Sequence, residues 1–451
     1  MHVLYMAMKV IRHRVCDNLN TMFRNKRGIE TLTRGDVENP EKVENLIERD
    51  MGFCKGVPNT IQYWHTRKAE LFAMIPQLGK PTAFLTLSAS EVHWPRLLEL
   101  LKSLKATPFD IGIDEHKMNS YFAAVLVNED PVVCAVYFEH MVRVIMQILC
   151  NKRLSPFKPN HVVEYFKRIE VQHRGSAHAH LLLWLNDAPN EEVANNDMPE
   201  TVALAERLLS LNHDALSSPI SQRHVHTHAC YKGNRKNCRF NYALWPMPCT
   251  KVLTPLVAPD QEADPEGAKR FEVLKEKRDA LHETLNTTIY DTYESMWEQH
   301  GIEDFEQYEN VIRTGLSRPT MLLKRDLGQC NINAFNPWIA EVLNSNMDLQ
   351  IILDVCACAA YVVEYVNKAN RGVSSLSRAI KNVIAEDPEA QLSYEQALRK
   401  MGVHMLNAIE MSAQEAAWML LQFEMSQTSR DVIFVNTVWP EKRVRSRKSG
   451  R

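Results

Sequence analysis

The sequence of 451 residues lacks several features that define familiar classes of protein. Its 15 glycines form no G-x-x-x-x-G-K-[ST] pattern, so these residues contain no P-loop nucleotide-binding site. No apolar run approaches the roughly 18 residues of a membrane span. Basic residues at positions 9, 12 and 14 also interrupt any signal-peptide core. We therefore expect neither contact with a membrane nor secretion.

An excess of charge of one sign is missing as well. The 53 Lys and Arg residues nearly balance the 55 Asp and Glu residues, so nucleic-acid binding would depend on local basic patches. The ten cysteines are scattered along a long chain, which argues against a secreted disulfide framework. We expect a reducing compartment, the nucleus or the cytoplasm, in which thiols can bind a metal ion.

The composition is that of an ordinary globular protein with about two to four folded units. A Phe- and Leu-rich stretch at 81–88 predicts a buried strand, and apolar residues at helical spacing predict a helix over 133–152. Further helices are expected in three charged or amphipathic stretches: 270–313, 338–369 and 392–424.

Residues 168–185 predict a β-hairpin, because two runs of alternating polar and apolar residues flank a turn at Gly175. Alternate side chains of a strand share a face. His178 and His180 therefore lie together, and the apolar residues between and after them form the opposite face.

This hairpin has the donor types of a metal site. If Gln172 pairs with His178, then Glu170 pairs with His180, and all four side chains converge on one face. Two imidazoles with a carboxylate or amide oxygen can bind a divalent cation and leave positions open for a substrate. The alternative is a solvent-facing sheet surface that happens to carry two histidines.

Two tyrosines recur one helical turn apart in the segment from Asp354 to Lys368. At 100° per residue, Tyr361, Tyr365 and Lys368 fall on one stripe beside an apolar stripe. A phenol can attack a phosphodiester when a metal polarises the phosphate, and a lysine can stabilise the developing charge. The alternative is that both tyrosines are half-buried packing residues.

A cluster of histidine and cysteine begins at residue 224. Four nitrogen or sulfur ligands suffice for a structural zinc site, and the preferred set is His224, His226, Cys230 and Cys238. His228 and Cys249 stay open as substitutes, and an incidental polar loop is the alternative interpretation.

The same segment interleaves aromatic residues with basic ones, a composition that suits single-stranded DNA. The aromatic residues are Tyr231, Phe240, Tyr242 and Trp245. The candidate DNA-binding residues are Arg174, in the hairpin turn, and Lys232, Arg235, Lys236 and Arg239. A solvated loop of the zinc module is the alternative.

Together these blocks resemble the replication-initiator (HUH) nuclease region of Helitron transposases, the rolling-circle transposons of eukaryotes, from about residue 55 to residue 440. The matching blocks are Gln62-Tyr-Trp64 with Lys80 to Ser88 and Trp94-Pro95; Glu170 to His180; Lys324-Arg325-Asp326 with Asn336-Pro337 and Asn346-Met347-Asp348; Tyr361-x-x-x-Tyr365-x-x-Lys368; and Glu410-x-Ser412-Ala-Gln-Glu415-Ala. The family also carries a His/Cys block before a Cys-Arg-Phe motif like that at Cys238.

The resemblance implies an α+β fold, with a central antiparallel sheet of the HUH-nuclease type flanked by helices, a small zinc-binding insertion and extra helical segments. The expected segments are a helical N-terminal lead-in (1–75), the first nuclease part with the His-x-His hairpin (76–190), a linker with the zinc-binding insertion (191–300), the second nuclease part with the two-tyrosine helix (301–440) and a basic tail (441–451).

The resemblance also implies roles and partners. The implied ligands of Mg²⁺ or Mn²⁺ are His178 and His180 with Glu170 or Gln172. The implied catalytic residues are Tyr361, Tyr365 and Lys368. The substrate would be DNA, as single-stranded transposon ends, cleaved through a 5′-phosphotyrosine. Full-length Helitron transposases continue into a helicase, so we expect either a separately encoded helicase partner or a truncated element. The rival expectation is a truncated or domesticated transposase that binds DNA without cleaving it.

Overall fold

The computed structural model describes residues 2–25, 58, 60–105, 120–171, 175–193, 198–212, 216, 222–231, 238–354 and 411–433. Its strands are β1 (Ala83–Ser88), β2 (Val162–Val171), β3 (Ala177–Leu185), β4 (Lys251–Leu253), β5 (Thr320–Leu322), β6 (Met347–Ile351) and β7 (Ser426–Thr428). Its α-helices are α1 (His2–Asn25), α2 (Ile61–Leu78), α3 (Pro95–Ser103), α4 (Ser120–Glu129), α5 (Pro131–Leu149), α6 (Pro199–Leu208), α7 (Pro265–Thr284), α8 (Tyr293–Gln299), α9 (Phe305–Arg313), α10 (Pro337–Leu343) and α11 (Ala413–Leu420).

A five-stranded sheet in the order β6-β1-β3-β2-β7 organises the fold, and all its neighbouring strands pair antiparallel. Helices flank it, which confirms the expected α+β class with a central antiparallel sheet. Strands distant in sequence form this sheet together: β6 and β7 come from beyond residue 340 and pair with strands of the first half of the chain. The division into five segments stays a prediction.

The two faces of this sheet differ because side chains alternate along each strand. One face is wholly apolar at its centre, where Leu85 and Leu87 of β1 and Ala179 and Leu181 of β3 have no exposed surface. On the other face, one end is covered by α2 and the opposite end, toward the hairpin turn, carries polar side chains. The cover consists of Leu71 and Met74 of α2 packed with Phe84, Leu182 and Trp184.

Helix α5 has the length and mean hydropathy of a membrane-spanning helix, which the sequence was not expected to contain. In the fold it is a core helix that contributes a buried stripe: Cys134, Phe138, Val142, Ile145 and Leu149. Glu139, His140 and Arg143 interrupt its apolar sequence, and Glu139 pairs with Arg143 on the outer side. The burial of one stripe explains its composition.

A second, smaller core lies between residues 243 and 330. Helices α7, α8 and α9 pack with the two-stranded β4–β5 sheet around Leu253, Leu281, Met296 and Tyr308. The sequence predicted charged, exposed helices over 270–313; helices do form there, but their inner sides enclose this core.

The predicted helix over 338–369 is correct as far as Leu343 and wrong over the described residues that follow. Helix α10 ends at Leu343, and its C-cap residue Asn344 adopts a left-handed conformation with φ 47°. The chain then forms β6, where Met347 and Leu349 are buried and alternate with polar residues. Pairing with β1 decides this conformation, and a local helical pattern cannot reveal it. The remainder of that stretch from residue 355 lies outside the described residues.

Candidate functional site

The polar end of the central sheet holds the predicted His-x-His motif. Strand β3 places His178 opposite Glu170 and His180 opposite Arg168. The register assumed from the sequence, with Glu170 opposite His180, is therefore wrong by two residues. A shift of two keeps the same face, so Glu170, His178 and His180 still share one surface.

Specific contacts orient these side chains. Nε2 of His180 lies 2.9 Å from Oε2 of Glu170, and Nδ1 of His178 lies 3.0 Å from the hydroxyl of Ser88 on β1. The His180 ring also stacks on Phe84, at 6.0 Å between ring centroids. Each imidazole is thus fixed by a neighbour on an adjacent strand, which limits its rotation.

The protonation states of His178 and Glu170 suit the binding of a cation. Burial lowers the pKa of His178 to about 4, and the neighbouring His180 adds to this effect. Burial alone would raise the pKa of Glu170, but its contact with His180 and the charge of Arg168 hold it below its usual value. Neutral His178 and ionised Glu170 are the forms that bind a metal ion.

Asp348 is a residue of this face that the sequence analysis assigned to a helix. It lies opposite Thr86, which lies opposite His180 on the other side of β1. Asn333 and Gln350 donate to its two oxygens at 3.3 and 2.6 Å. Burial raises the pKa of Asp348.

A buried glutamate connects the hairpin to distant parts of the chain. Glu91, only 4% exposed, accepts from the hydroxyl of Ser176 at 3.2 Å and from the amide of Gln414 at 3.0 Å. Ser176 lies two residues before His178, and Gln414 is in α11. Glu91 therefore links the start of β3 to α11.

Several predicted site residues lie outside the described residues: Gln172, Arg174, Lys232, Arg235, Lys236, Tyr361, Tyr365 and Lys368. Their assignments stay predictions.

The four preferred zinc ligands come together. One ligand atom from each of His224, His226, Cys230 and Cys238 lies within 4.8 Å of the others. His228 and Cys249 are not part of this group.

The separations fit a zinc ion. Zn–N bonds of about 2.0 to 2.1 Å and Zn–S bonds of about 2.3 Å, at a tetrahedral angle, separate two ligand atoms by about 3.3 to 3.8 Å. Nε2 of His224 lies 3.4 Å from Nδ1 of His226, 3.6 Å from Sγ of Cys230 and 3.5 Å from Sγ of Cys238. The donor set and the three distances from Nε2 of His224 thus suit a four-ligand zinc site, and the remaining pairs of ligand atoms lie within 4.8 Å.

Neighbouring residues hold these ligands in place. Nε2 of His226 lies 3.1 Å from Oδ1 of Asn286, which leaves Nδ1 directed at the group. The Tyr242 ring stacks on His224 at 4.0 Å with nearly parallel planes. The backbone N–H of Thr227 points at Sγ of Cys230 and lowers the pKa of that thiol. Sequence analysis missed Asn286, which stands 60 residues from its partner with no local pattern to reveal it.

Residues 2–183 match the family model of the Helitron helicase-like domain at the N-terminus. This stretch is similar to the N-terminal region of Helitron transposases. The matched range of the Helitron-like domain runs from α1 into β3, so it includes Glu170 and both histidines of the sheet. No curated protein matches the chain. The match supports a role related to Helitron transposition, with DNA binding and nuclease activity in the general sense.

Proposed function

We propose that this chain is a metal-dependent endonuclease and strand transferase of Helitron rolling-circle transposition, which nicks single-stranded DNA through a 5′-phosphotyrosine. One observation carries the proposal: Glu170, His178 and His180 share the polar end of the central sheet, inside the range that matches the Helitron family. Two imidazoles and a carboxylate leave coordination positions for a phosphate and water.

The donor atoms of these three residues are of the types that bind a divalent cation. The carboxylate of Glu170 suits Mg²⁺ or Mn²⁺, and the imidazole nitrogens favour Mn²⁺ of the two. When bound, the cation would polarise the scissile phosphate and neutralise charge that develops on it. His178 and His180 would hold it, and Ser88 would keep the His178 ring in position.

The tyrosines assigned from the sequence would carry the covalent step. The phenolic oxygen of Tyr361 or Tyr365 would attack phosphorus as its proton is lost. The bond from phosphorus to the 3′ oxygen would break, and that oxygen would leave and take up a proton. The strand on the 5′-phosphate side would then be joined to the protein, and Lys368 would stabilise the negative charge of the transition state.

The His/Cys group would bind a structural Zn²⁺, because four ligands leave no open position for a substrate. The substrate would be single-stranded transposon ends, a helicase encoded separately would supply them, and the nucleus would be the place of action.

A denaturing gel with labelled single-stranded oligonucleotides tests the proposal. The oligonucleotides include candidate transposon ends, and the reactions contain Mn²⁺ or EDTA. We expect a metal-dependent adduct that survives denaturant, disappears with protease and is lost in the double variant Tyr361→Phe, Tyr365→Phe. Tyr121→Phe, a change at a tyrosine that is 68% exposed on α4, is the matched control.

Two results would contradict the proposal. An adduct that persists in the double variant would remove the tyrosine assignment. Salt-sensitive DNA binding without any adduct would favour a binding module that does not cleave.

A further inference from the structure

The four aromatic residues of the His/Cys segment divide into two groups in the fold. Tyr242 stacks on His224, and burial raises its pKa to about 12. Trp245 packs on His282 against the second core. Tyr231 and Phe240, by contrast, are 40% and 50% exposed. Two rings therefore support the cluster, and two face the solvent.

Two adjoining short turns carry the exposed rings. Tyr231 ends a 3-10 helix and directly follows Cys230. Arg239 and Phe240 directly follow Cys238, in a turn that the bond from the Asn241 N–H to the Cys238 carbonyl closes at 2.9 Å. The Arg239 N–H donates to the Cys230 carbonyl at 3.0 Å, so the two turns adjoin.

Both exposed rings rest on the histidines of the cluster. The Tyr231 ring lies 6.0 Å from His226, and the Phe240 ring lies 5.8 Å from His224. The centroids of the two histidine rings are themselves 4.8 Å apart. Zinc held by the cysteines and histidines would therefore fix the positions of Tyr231 and Phe240.

A positive charge accompanies the rings. The guanidinium of Arg239 lies 4.4 Å above the Phe240 ring, and its side chain is exposed. Aromatic rings stack on bases of any sequence, and a guanidinium both stacks on bases and contacts phosphate. Duplex DNA hides the faces of its bases, so a surface of this kind selects single strands.

We propose that Tyr231, Phe240 and Arg239 form a stacking surface for the bases of single-stranded DNA, held in shape by the His/Cys cluster. This inference deepens the proposed function and rests on it for the choice of DNA. It assigns recognition of unpaired bases to the insertion, at residues separate from the histidines of the sheet.

Fluorescence anisotropy tests the surface directly. The probes are a labelled 20-mer of thymidine and an abasic 20-mer with the same phosphates, in buffer without Mg²⁺ or Mn²⁺ so that no cleavage competes. We expect the double variant Tyr231→Ala, Phe240→Ala to lose at least about tenfold in affinity for the thymidine strand. Its affinity for the abasic strand should change little, because that contact is made with phosphate alone.

Matched variants separate stacking from general damage. Tyr231→Phe with Phe240→Trp keeps both rings and should retain affinity. Tyr121→Ala removes a more exposed ring elsewhere and should have no effect. Zinc content and the melting temperature are measured for each variant. If the double variant loses zinc, photo-cross-linking of the wild-type protein to an iododeoxyuridine oligonucleotide replaces it, with cross-links expected at Tyr231 or Phe240.

Three results would overturn the inference: unchanged thymidine binding in a folded, zinc-loaded double variant, equal losses on both probes, or cross-links confined to other residues. The nuclease proposal is tested separately, by the formation of the covalent adduct. If a covalent adduct forms but the stacking surface is contradicted, the nuclease proposal still holds. If binding depends on the bases but no adduct forms, the stacking surface holds and the nuclease proposal does not.

Discussion

The two histidine-containing sites differ in how the fold fixes their ligands and in how many ligands they offer. The sheet site has two histidines and Glu170 on adjacent strands, so strand pairing sets its geometry. The His/Cys cluster lies on turns; its four ligand atoms lie within 4.8 Å of one another, and the three distances from His224 fit zinc. Three donors leave room for a substrate, whereas four close the coordination shell. Under the proposed function, the sheet site would carry the chemistry and the cluster would stabilise the fold.

The largest effect is expected from removing both cysteine ligands. The double change Cys230→Ser, Cys238→Ser should release the zinc and cost at least about 3 kcal/mol of unfolding free energy, because metal binding contributes to folding. Zinc content and chemical denaturation measure it. Cys249→Ser, at an exposed cysteine outside the group, is the control. A double variant that still bound as much zinc as the wild-type protein would show that Cys230 and Cys238 are not zinc ligands.

Removal of the sheet histidines should produce the opposite pattern. His178→Ala with His180→Ala should abolish the Mn²⁺-dependent adduct and cost less than about 2 kcal/mol of stability. The gel assay and thermal unfolding are run on the same preparation. His140→Ala, at an exposed histidine of α5, is the control. Full adduct formation by the double variant would show that these histidines have no role in the reaction.

A smaller effect should follow from a change beside the zinc ligands. Asn286→Ala removes the acceptor that orients His226 and should weaken zinc binding by about 10- to 100-fold. Competition with a chromophoric chelator measures the zinc affinity. The affinity of the sheet site for Mg²⁺ or Mn²⁺ should stay unchanged. Asn286→Asp keeps an oxygen for His226 and should retain most of the affinity. Equal affinity for all three proteins would show that Asn286 does not orient the ligand.

The smallest effect should come from a contact outside both sites. Burial alone would raise the pKa of Glu164, but hydrogen bonds from Arg430 and Ser429 outweigh it and hold the pKa below its usual value. The contact therefore stabilises the fold above the ordinary pKa of 4.5, and this stabilisation is lost as the pH falls through the lower folded-state value.

Glu164→Gln should cost about 1 kcal/mol at neutral pH and less below pH 4. Urea denaturation at both pH values checks the sign, and Glu192→Gln, at an exposed glutamate, serves as reference. A loss that grows as the pH falls would contradict the assignment.

The period-two pattern around Gly175 correctly predicted the hairpin and the face shared by Glu170, His178 and His180. The register could not be derived from it, because a slip of two residues keeps every side chain on its face. The His/Cys set was predicted from residue type, because several histidines and cysteines, the residues that bind zinc, lie within a short stretch of sequence. Its separations depend on two turns that the sequence does not specify.

Contacts across long sequence separations account for what the sequence analysis missed. Asp348 lies on β6, whose pairing with β1 joins residues more than 250 positions apart. Asn286 and Gln414 act on residues 60 and 323 positions away. Each is a single polar residue without periodicity, so only the assembled fold reveals its partner.

The segment 211–334 holds the His/Cys cluster and the second core, and a pair of bonded residues flanks it. Ser210 and Phe335 exchange both backbone hydrogen bonds, at 2.8 and 3.1 Å, as an antiparallel pair. Such a pair holds its two Cα atoms about 5.5 Å apart, a distance that a tight turn can bridge. Replacement of residues 211–334 by such a turn would nevertheless uncover part of the main core, because Leu211 and Ile332 are buried in it. It would also remove Asn333, which donates a hydrogen bond to Asp348 on β6.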